Sequence, residues 1–231
     1  MLQRPWQEAQ AAITDWIAAL GAQPDDSDET RLRKRLILIF ATVMSLAGLV
    51  WGTFAYVLYD SPIATVPPYG YALLTAVNLV WFARSRNFNR FRFIQLALSL
   101  LLPFLMMSAL GGFVRGSATI LWSLIAPLAA LLVTSRRQAA YWFVAFVALL
   151  LLSAVLEPYV STLSPVDPMV QTTFFVMNIL GPWTAAFVIL SSFWQEKERV
   201  LHENIMLYQE AQDARLVAEE ATLAKGDFLA T

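Results

Sequence analysis

The sequence RLRKRLILIFATVMSLAGLVWGTFAYVL, residues 31–58, places four basic side chains directly before 23 residues that carry no charge. A helix needs about 20 predominantly apolar residues to cross the hydrocarbon core of a bilayer. Residues 36–58 are therefore predicted to form a membrane-spanning helix. Because loops rich in lysine and arginine stay on the cytoplasmic side, the residues before this helix are predicted to be cytoplasmic.

The composition of the whole chain agrees with a membrane protein. Of its 231 residues, 58% are hydrophobic and only 14% are charged, whereas soluble domains carry about 25% charged residues. The net charge of −1 gives no basis for binding nucleic acid. The absence of cysteine excludes disulfides and thiolate metal sites, and the single histidine excludes a multi-histidine metal site within one chain. We predict an all-α integral membrane protein.

Five further apolar stretches follow, separated by prolines, glycines and polar residues. The chain is thereby divided into a cytoplasmic amphipathic helix with an acidic linker (1–35), a six-helix transmembrane bundle (36–194) and a cytoplasmic signalling helix (195–231). The second and fourth stretches are short for a full crossing. The six predicted spans are residues 36–58, 69–83, 93–113, 118–134, 139–156 and 169–194.

Basic residues are distributed asymmetrically between the predicted loops. Of the 16 lysines and arginines, 15 fall on one side of the six spans, and Arg115 is the exception. Cytoplasmic loops carry this excess, so both termini are predicted to be cytoplasmic, which also requires an even number of spans. Aromatic residues near the predicted helix ends, among them Trp51, Tyr59 and Tyr71, are interpreted as an interfacial belt.

The first 35 residues are predicted to form a segment of their own. Trp6, Ile13 and Ile17 recur on one face of a helix that ends at Gly21. An acidic linker, residues 25–29, follows this helix. Such a helix lies on the membrane surface or packs on protein, and the lack of basic residues on its polar face favours protein.

Uncharged polar side chains within the predicted spans are the candidates for ligand sensing. No Asp, Glu, Lys, Arg or His lies well inside a span, which argues against an ion-coupled transporter because such proteins use intramembrane charges. Asn78, Gln95 and Asn178 either form interhelical hydrogen bonds or surround a small-molecule pocket. Arg115 is either a solvated loop residue or a contact for lipid phosphate or an anionic extracellular ligand. The spacing selects no ligand.

The last predicted span continues without a breaker into a polar helix. Gly181 and Pro182 form either a flex point or a local packing adjustment. Beyond Gln195, apolar residues recur at intervals of three and four, with an interruption between Tyr208 and Ala214, which predicts a parallel homodimeric coiled coil. The candidate transmission residues are Gly181, Pro182, Leu201, Ile205, Tyr208, Val217 and Phe228.

The stretch AEEATLAKGDFLAT, residues 218–231, resembles the lead-in to the dimerisation and phosphoacceptor domain of sensor histidine kinases. That family commonly reads A-x-x-A-x-x-A-K-S-x-F-L-A-x before its M-S-H-E-[IL]-R-T-P motif, and Gly226 replaces the serine here. The resemblance implies that the phosphorylated histidine follows Thr231, so we expect the chain to be the truncated N-terminal region of a longer protein. His202 lacks the motif and is expected to be an exposed coiled-coil residue.

The membrane part, especially residues 110–114 and 120–128, is also similar to the six-span anchor of bacterial class III adenylate cyclases. The usual cyclase stretch, L-L-x-N-[IV]-L-P, is absent after Ala218, which favours the kinase. The kinase resemblance implies a bacterial inner-membrane protein whose output domain uses ATP and Mg and signals to a response regulator. No catalytic residue, cofactor or metal is expected within residues 1–231. A cyclase anchor and a small transporter or channel remain the alternatives.

Overall fold

A computed structural model describes residues 23, 25–161 and 166–229, and of residues 196, 203 and 217–229 it describes the backbone alone. This part of the chain is almost entirely helical and contains no strand, which confirms the predicted all-α class. The amphipathic helix predicted before Gly21 lies outside the described residues. The chain divides into two compact units, residues 1–190 and residues 191–231.

Seven α-helices and one 3₁₀ helix follow one another along the described residues. Five of them, α1, α2, α3, α6 and α7, are long and apolar enough to cross a membrane. The elements are α1 (Asp28–Tyr59), α2 (Pro62–Ser85), α3 (Phe88–Leu110), α4 (Gly112–Arg115), the 3₁₀ helix (Thr119–Leu124), α5 (Ile125–Val133), α6 (Arg136–Val160) and α7 (Pro168–Leu229).

Side-chain caps set the start of three of these helices. Ser27, Asn87 and Ser135 precede α1, α3 and α6, and each accepts a hydrogen bond from the backbone N–H three residues further on. In α1, Asp28 and Glu29 also favour the positive end of the helix dipole. As a result α1 begins within the predicted acidic linker, eight residues before the predicted span.

The fourth predicted span, residues 118–134, is not a long α-helix. Instead the 3₁₀ helix and α5 together comprise only 15 residues. The described part of the chain therefore has five long apolar helices rather than six. A tight turn precedes them, in which Ser117 and Ala118 adopt left-handed backbone angles, with φ of 50° and 55°. The hydroxyl of Thr119 donates to the carbonyl of Gly116 and closes this turn, from which the narrower helix starts.

Helix α2 begins seven residues before the predicted second span. Pro62 occupies its first turn, where a missing N–H costs nothing, and Pro67 and Pro68 lie inside the helix rather than breaking it. Membrane helices tolerate interior prolines when their neighbours support the freed carbonyls.

Two glycines on α1 allow α2 to approach closely. A Cβ atom at Gly48 would lie 2.8 Å from the carbonyl oxygen of Pro68, and one at Gly52 would lie 2.7 Å from Cε1 of Tyr69. Small residues four positions apart provide this kind of contact between membrane helices. Beside this contact, α1, α2, α3 and α7 share a buried apolar cluster. It comprises Ala55, Tyr59, Ala64, Met106, Leu110 and Phe174.

The outer faces of the long helices are apolar. Ile63, Val155 and Phe187, on three different helices, are 74%, 66% and 72% exposed. So many exposed large apolar side chains are unusual in soluble proteins and are expected where helices face lipid. The exposed surface therefore agrees with the long apolar helices in indicating a membrane protein.

Candidate functional site

Asn178, on α7, is fully buried and uses every hydrogen-bonding group of its side-chain amide. Its Oδ1 accepts from the indole Nε1 of Trp51 at 2.6 Å and from that of Trp122 at 3.2 Å. Its Nδ2 donates to the carbonyl of Ser117 at 3.0 Å and to Oγ1 of Thr119 at 3.1 Å. One amide therefore joins α7 to α1, to the tight turn and to the 3₁₀ helix. We call these five residues the Asn178 network.

Gly181 follows Asn178 by almost one helical turn and lets the two tryptophans pack on the backbone of α7. A Cβ atom at this position would overlap the ring of Trp122 and lie 2.8 Å from Cη2 of Trp51. The two indoles meet edge to face, with ring centroids 4.8 Å apart. Pro182 has no N–H to donate to the backbone carbonyl of Asn178. Helix α7 thus lacks one backbone hydrogen bond where its side-chain contacts are concentrated.

The tight turn before the 3₁₀ helix is also attached directly to α1 and α7. The hydroxyl of Ser117 donates to the carbonyl of Gln171 at 3.1 Å and hydrogen-bonds to the hydroxyl of Tyr59 at 3.1 Å. Nε2 of Gln171 donates to the carbonyl of Val114 at 2.7 Å. A displacement of α7 near Asn178 would therefore disturb the turn at several points.

Charged residues at this end of the bundle bind the ends of helices. The guanidinium of Arg115 donates to the carbonyl of Leu110, at the end of α3, and lies 5.8 Å from the ring centroid of Tyr59. The carboxylate of Glu157 accepts from the N–H of Phe113 at 2.8 Å and packs against Gly112. Arg115 therefore packs against the bundle and binds the end of α3. Glu157, which the sequence did not single out, binds the start of α4.

A second polar network connects α2 and α3. Nε2 of Gln95 donates to the hydroxyl of Tyr71 at 2.5 Å and to Oγ1 of Thr75 at 3.0 Å. The hydroxyl of Tyr71 also hydrogen-bonds to Oγ of Ser99 at 2.9 Å. All four side chains are buried, so each hydroxyl and amide satisfies a group that would otherwise be unpaired in an apolar medium.

Asn78 extends this second network. Its Nδ2 donates to the carbonyl of Phe91 at 3.1 Å and to Oε1 of Gln95 at 3.5 Å, while its Oδ1 has no partner among the described residues. Of the three amides predicted to surround a pocket, Asn78 and Gln95 thus lie together. Asn178 belongs to a different network on another helix.

A small cavity of about 40 Å³ lies between the two networks. Trp51, Thr119 and Trp122 of the Asn178 network contribute to its wall, and Tyr71 contributes from the second network. Its lining is almost entirely apolar, so the space is suited to a small apolar group rather than to water. Residues of both networks thus line one cavity.

Trp51, Tyr59 and Tyr71, predicted to form an interfacial belt, instead face the inside of the bundle. Tyr71 and Tyr59 are only 4% and 6% exposed, and the indole N–H of Trp51 points to Asn178 rather than to a membrane surface. Tyrosine and tryptophan suit both environments, because each joins a large apolar ring to one polar group. The spacing of Gly48, Trp51 and Gly52 on one face of α1 is the signal that marks Trp51 as inward-facing.

The remaining candidate transmission residues lie on the second compact unit. Leu201, Ile205 and Tyr208 are 56%, 47% and 67% exposed on α7, and the side chains of Val217 and Phe228 lie outside the described part of the chain. No protein-family model, curated protein or solved structure matches this chain. The case for a function therefore depends on the residues and their geometry.

Proposed function

We propose that this chain is the membrane-sensing and signal-transmitting region of a two-component sensor histidine kinase. The supporting observation is that α7 is one helix, Pro168–Leu229. It carries Asn178, Gly181 and Pro182 in its apolar part and, from Ala218 onward, the stretch that resembles the kinase lead-in. A kinase domain following Thr231 would bind ATP and Mg and phosphorylate a response regulator.

The topology we propose has six spans in a bacterial inner membrane, with both termini cytoplasmic. A 3₁₀ helix rises about 2.0 Å per residue and an α-helix about 1.5 Å, so residues 119–133 extend about 25 Å. An α-helix of equal length would reach only about 22 Å, against a hydrocarbon core about 30 Å thick. The 3₁₀ geometry thus reduces the shortfall of this segment to about 5 Å. The distribution of lysine and arginine, which requires an even number of spans, supports the fourth crossing and the orientation.

We propose that the Asn178 network changes between two states during signalling. A ligand, a lipid or a change in the membrane shifts an equilibrium only if it binds the two states with different affinity. In one state the amide holds Trp51 and Trp122 against Gly181. In the other state these contacts are released, and α7 bends, rotates or shifts at Pro182.

We also propose that the helix from Gln195 to Phe228 pairs with a second copy as a parallel coiled coil. A polar helix of this length is poorly stabilised in isolation, and the exposed Leu201, Ile205 and Tyr208 would be covered by the partner. The natural chain has no cysteine, so single cysteines report on this pairing directly. Ile205→Cys is expected to crosslink rapidly in membranes, whereas Glu210→Cys, on the opposite side of the helix, is expected to crosslink slowly. Equal rates would contradict the predicted coiled-coil interface. No crosslinking at either position would contradict the proposed dimer.

The kinase proposal is tested by fusing the chain at Thr231 to the phosphoacceptor and catalytic domains of a characterised histidine kinase. One to seven residues are inserted between Tyr208 and Ala214, and autophosphorylation from ATP is measured in vesicles. Each inserted residue rotates the downstream helix by about 100°, so activity is expected to vary with helical phase and to recover at seven residues. Activity that is indifferent to the insertions, or saturable solute uptake by the chain alone, would contradict the proposal.

A further inference from the structure

The small cavity between the two networks is bounded by four elements, α1, α2, α3 and the 3₁₀ helix. All four elements contribute apolar surface to its wall, and methionine and proline are prominent in it. Rings surround much of the space, because three aromatic residues face it together with the prolines. The apolar residues that matter below are Met44, Pro68, Leu102, Pro103 and Met106.

The polar side chains of the wall already have partners inside the bundle. The indole N–H groups of Trp51 and Trp122 donate to Asn178. The hydroxyl of Thr119 accepts from Asn178 and donates to a backbone carbonyl, and the hydroxyl of Tyr71 bonds with two side chains of the second network. A buried water needs several polar partners, so a wall whose polar groups are engaged elsewhere favours an apolar occupant.

The size of the cavity limits this occupant. The cavity measures about 40 Å³, whereas an apolar cavity of about 150 Å³ stays dry and holds benzene or xenon. The rings of Pro68 and Pro103 and the two hydrogen-bonded indoles cannot rotate freely into the space. Because such a wall relaxes only in part, the space stays open to a molecule smaller than benzene.

A second apolar space, a groove of about 390 Å³, lies on the other side of the indoles, along α1 and α7. Trp51 and Trp122 line both the groove and the cavity, as does Ala47. The groove also includes Leu180, which is exposed on the outer surface of the bundle. The two indoles therefore lie between the cavity and a surface that faces lipid, where apolar solutes concentrate.

We propose that the cavity binds a small apolar molecule from the bilayer, smaller than benzene, such as a dissolved gas. The thioethers of Met44 and Met106 and the two indoles surround such a molecule with polarisable atoms, which strengthens dispersion attraction. The occupant touches both indoles, so it favours the state in which Asn178 holds them. Its role as a signal rests on the proposed function, whereas the binding site itself does not.

Xenon NMR of the full chain in detergent micelles tests this site, since xenon is apolar and fits small cavities. The natural chain is expected to shift the xenon resonance beyond the shift that the micelles alone produce. Leu102→Phe fills the cavity and is expected to abolish this contribution, and Ala47→Leu fills it from α1 if that variant fails to fold. Leu105→Phe is the matched control, because it makes the same substitution at an exposed position of the same helix outside the cavity. It should bind xenon like the natural chain.

Several results would overturn the apolar site. Equal xenon shifts in the natural chain and both filling variants would exclude binding in the cavity, and an equal loss in Leu105→Phe would indicate xenon on the outer surface. Competition by formamide, which is small but polar, would contradict the apolar class. Benzene is expected to compete only in Met106→Ala, where the cavity is enlarged, and competition in the natural chain would contradict the size limit. The insertion experiment on the kinase fusion uses no xenon, so failure of one proposal is distinguishable from failure of the other.

Discussion

At the scale of single residues, Asn178 concentrates four hydrogen bonds on one side-chain amide. Its amide bonds with two indole N–H groups, one carbonyl and one hydroxyl, and these belong to three different parts of the chain. A leucine of similar size would leave all four groups, three of them in buried contacts and the Trp51 indole partly buried, without this partner. The cost of the substitution is therefore set by the groups left behind as much as by the bonds lost.

Asn178→Leu is expected to lower the free energy of unfolding by about 2–4 kcal/mol, since each interhelical hydrogen bond contributes about 0.6–1.7 kcal/mol. Denaturation in mixed micelles, followed by tryptophan fluorescence, measures the change. Thr173→Val is the control, because Thr173 is exposed on the same helix. Equal stability of Asn178→Leu and the natural chain would contradict the role of the amide.

The ion pair between Asp26, just before α1, and Lys34, on α1, makes the stability of the chain depend on pH. Burial raises the pKa of the Asp26 carboxyl, but hydrogen bonds from Lys34 and the N–H of Gln23, with the charges of Lys34 and Arg31, outweigh burial and hold that pKa below its usual value. The folded chain thus binds this proton less tightly than the unfolded chain. The stabilisation is complete above about pH 4 and is lost as the pH falls through the lowered pKa.

Asp26→Asn is therefore expected to destabilise the chain most at neutral pH and progressively less in acid below about pH 4. Thermal unfolding midpoints of both chains between neutral pH and strong acid give the comparison. A difference that stays constant across this range would mean that the pair contributes no stability through its charge.

At the scale of helices, the close contact between α1 and α2 depends on two glycines of α1, Gly48 and Gly52. Gly48→Val would place atoms against the backbone carbonyl of Pro68, which cannot move as a flexible side chain can. The expected loss is about 1–3 kcal/mol of unfolding free energy, measured in micelles. Gly70→Ala is the control, because a Cβ atom there meets no other atom within 4 Å. Its expected effect is a slight gain from helix propensity, and equal effects of both substitutions would contradict close packing.

Whether the bundle has five or six crossings depends on residues 119–133, which comprise the 3₁₀ helix and α5. Val114 is 70% exposed before the 3₁₀ helix, and Arg136 is exposed after α5. If residues 119–133 cross the membrane, Val114→Cys reacts with an impermeant maleimide from outside the cell and Arg136→Cys only from the cytoplasm. Labelling of both cysteines from one side would contradict a fourth crossing.

Sequence patterns predict some of these elements and miss others for physical reasons. Long apolar runs such as residues 36–58 identify helices because a bilayer requires them. The 3₁₀ helix is not predictable in this way, since its composition matches that of an apolar α-helix. The partners of Asn178 are also missed, because a polar amide in a span indicates that a hydrogen bond exists but not with which residue.

At the scale of the whole bundle, the polar side chains of the two networks are buried while many apolar side chains are exposed. The Asn178 network and the network around Gln95 are buried, while Ile63 and Phe187 are exposed. The hydrophobic effect gives little preference for helix association within lipid, so close packing and hydrogen bonds provide much of the specificity. This arrangement explains why single polar substitutions in the bundle are expected to have large effects.

The paired indoles of Trp51 and Trp122 have a practical consequence. At a centroid separation of 4.8 Å, their electronic transitions couple, and the chiral crossing of the rings makes that coupling optically active. The near-ultraviolet circular dichroism of the unlabelled chain thereby contains a spectroscopic signature of the proposed switch. Compounds and lipids can be screened for their ability to alter it, and Asn178→Leu supplies the spectrum of the released pair.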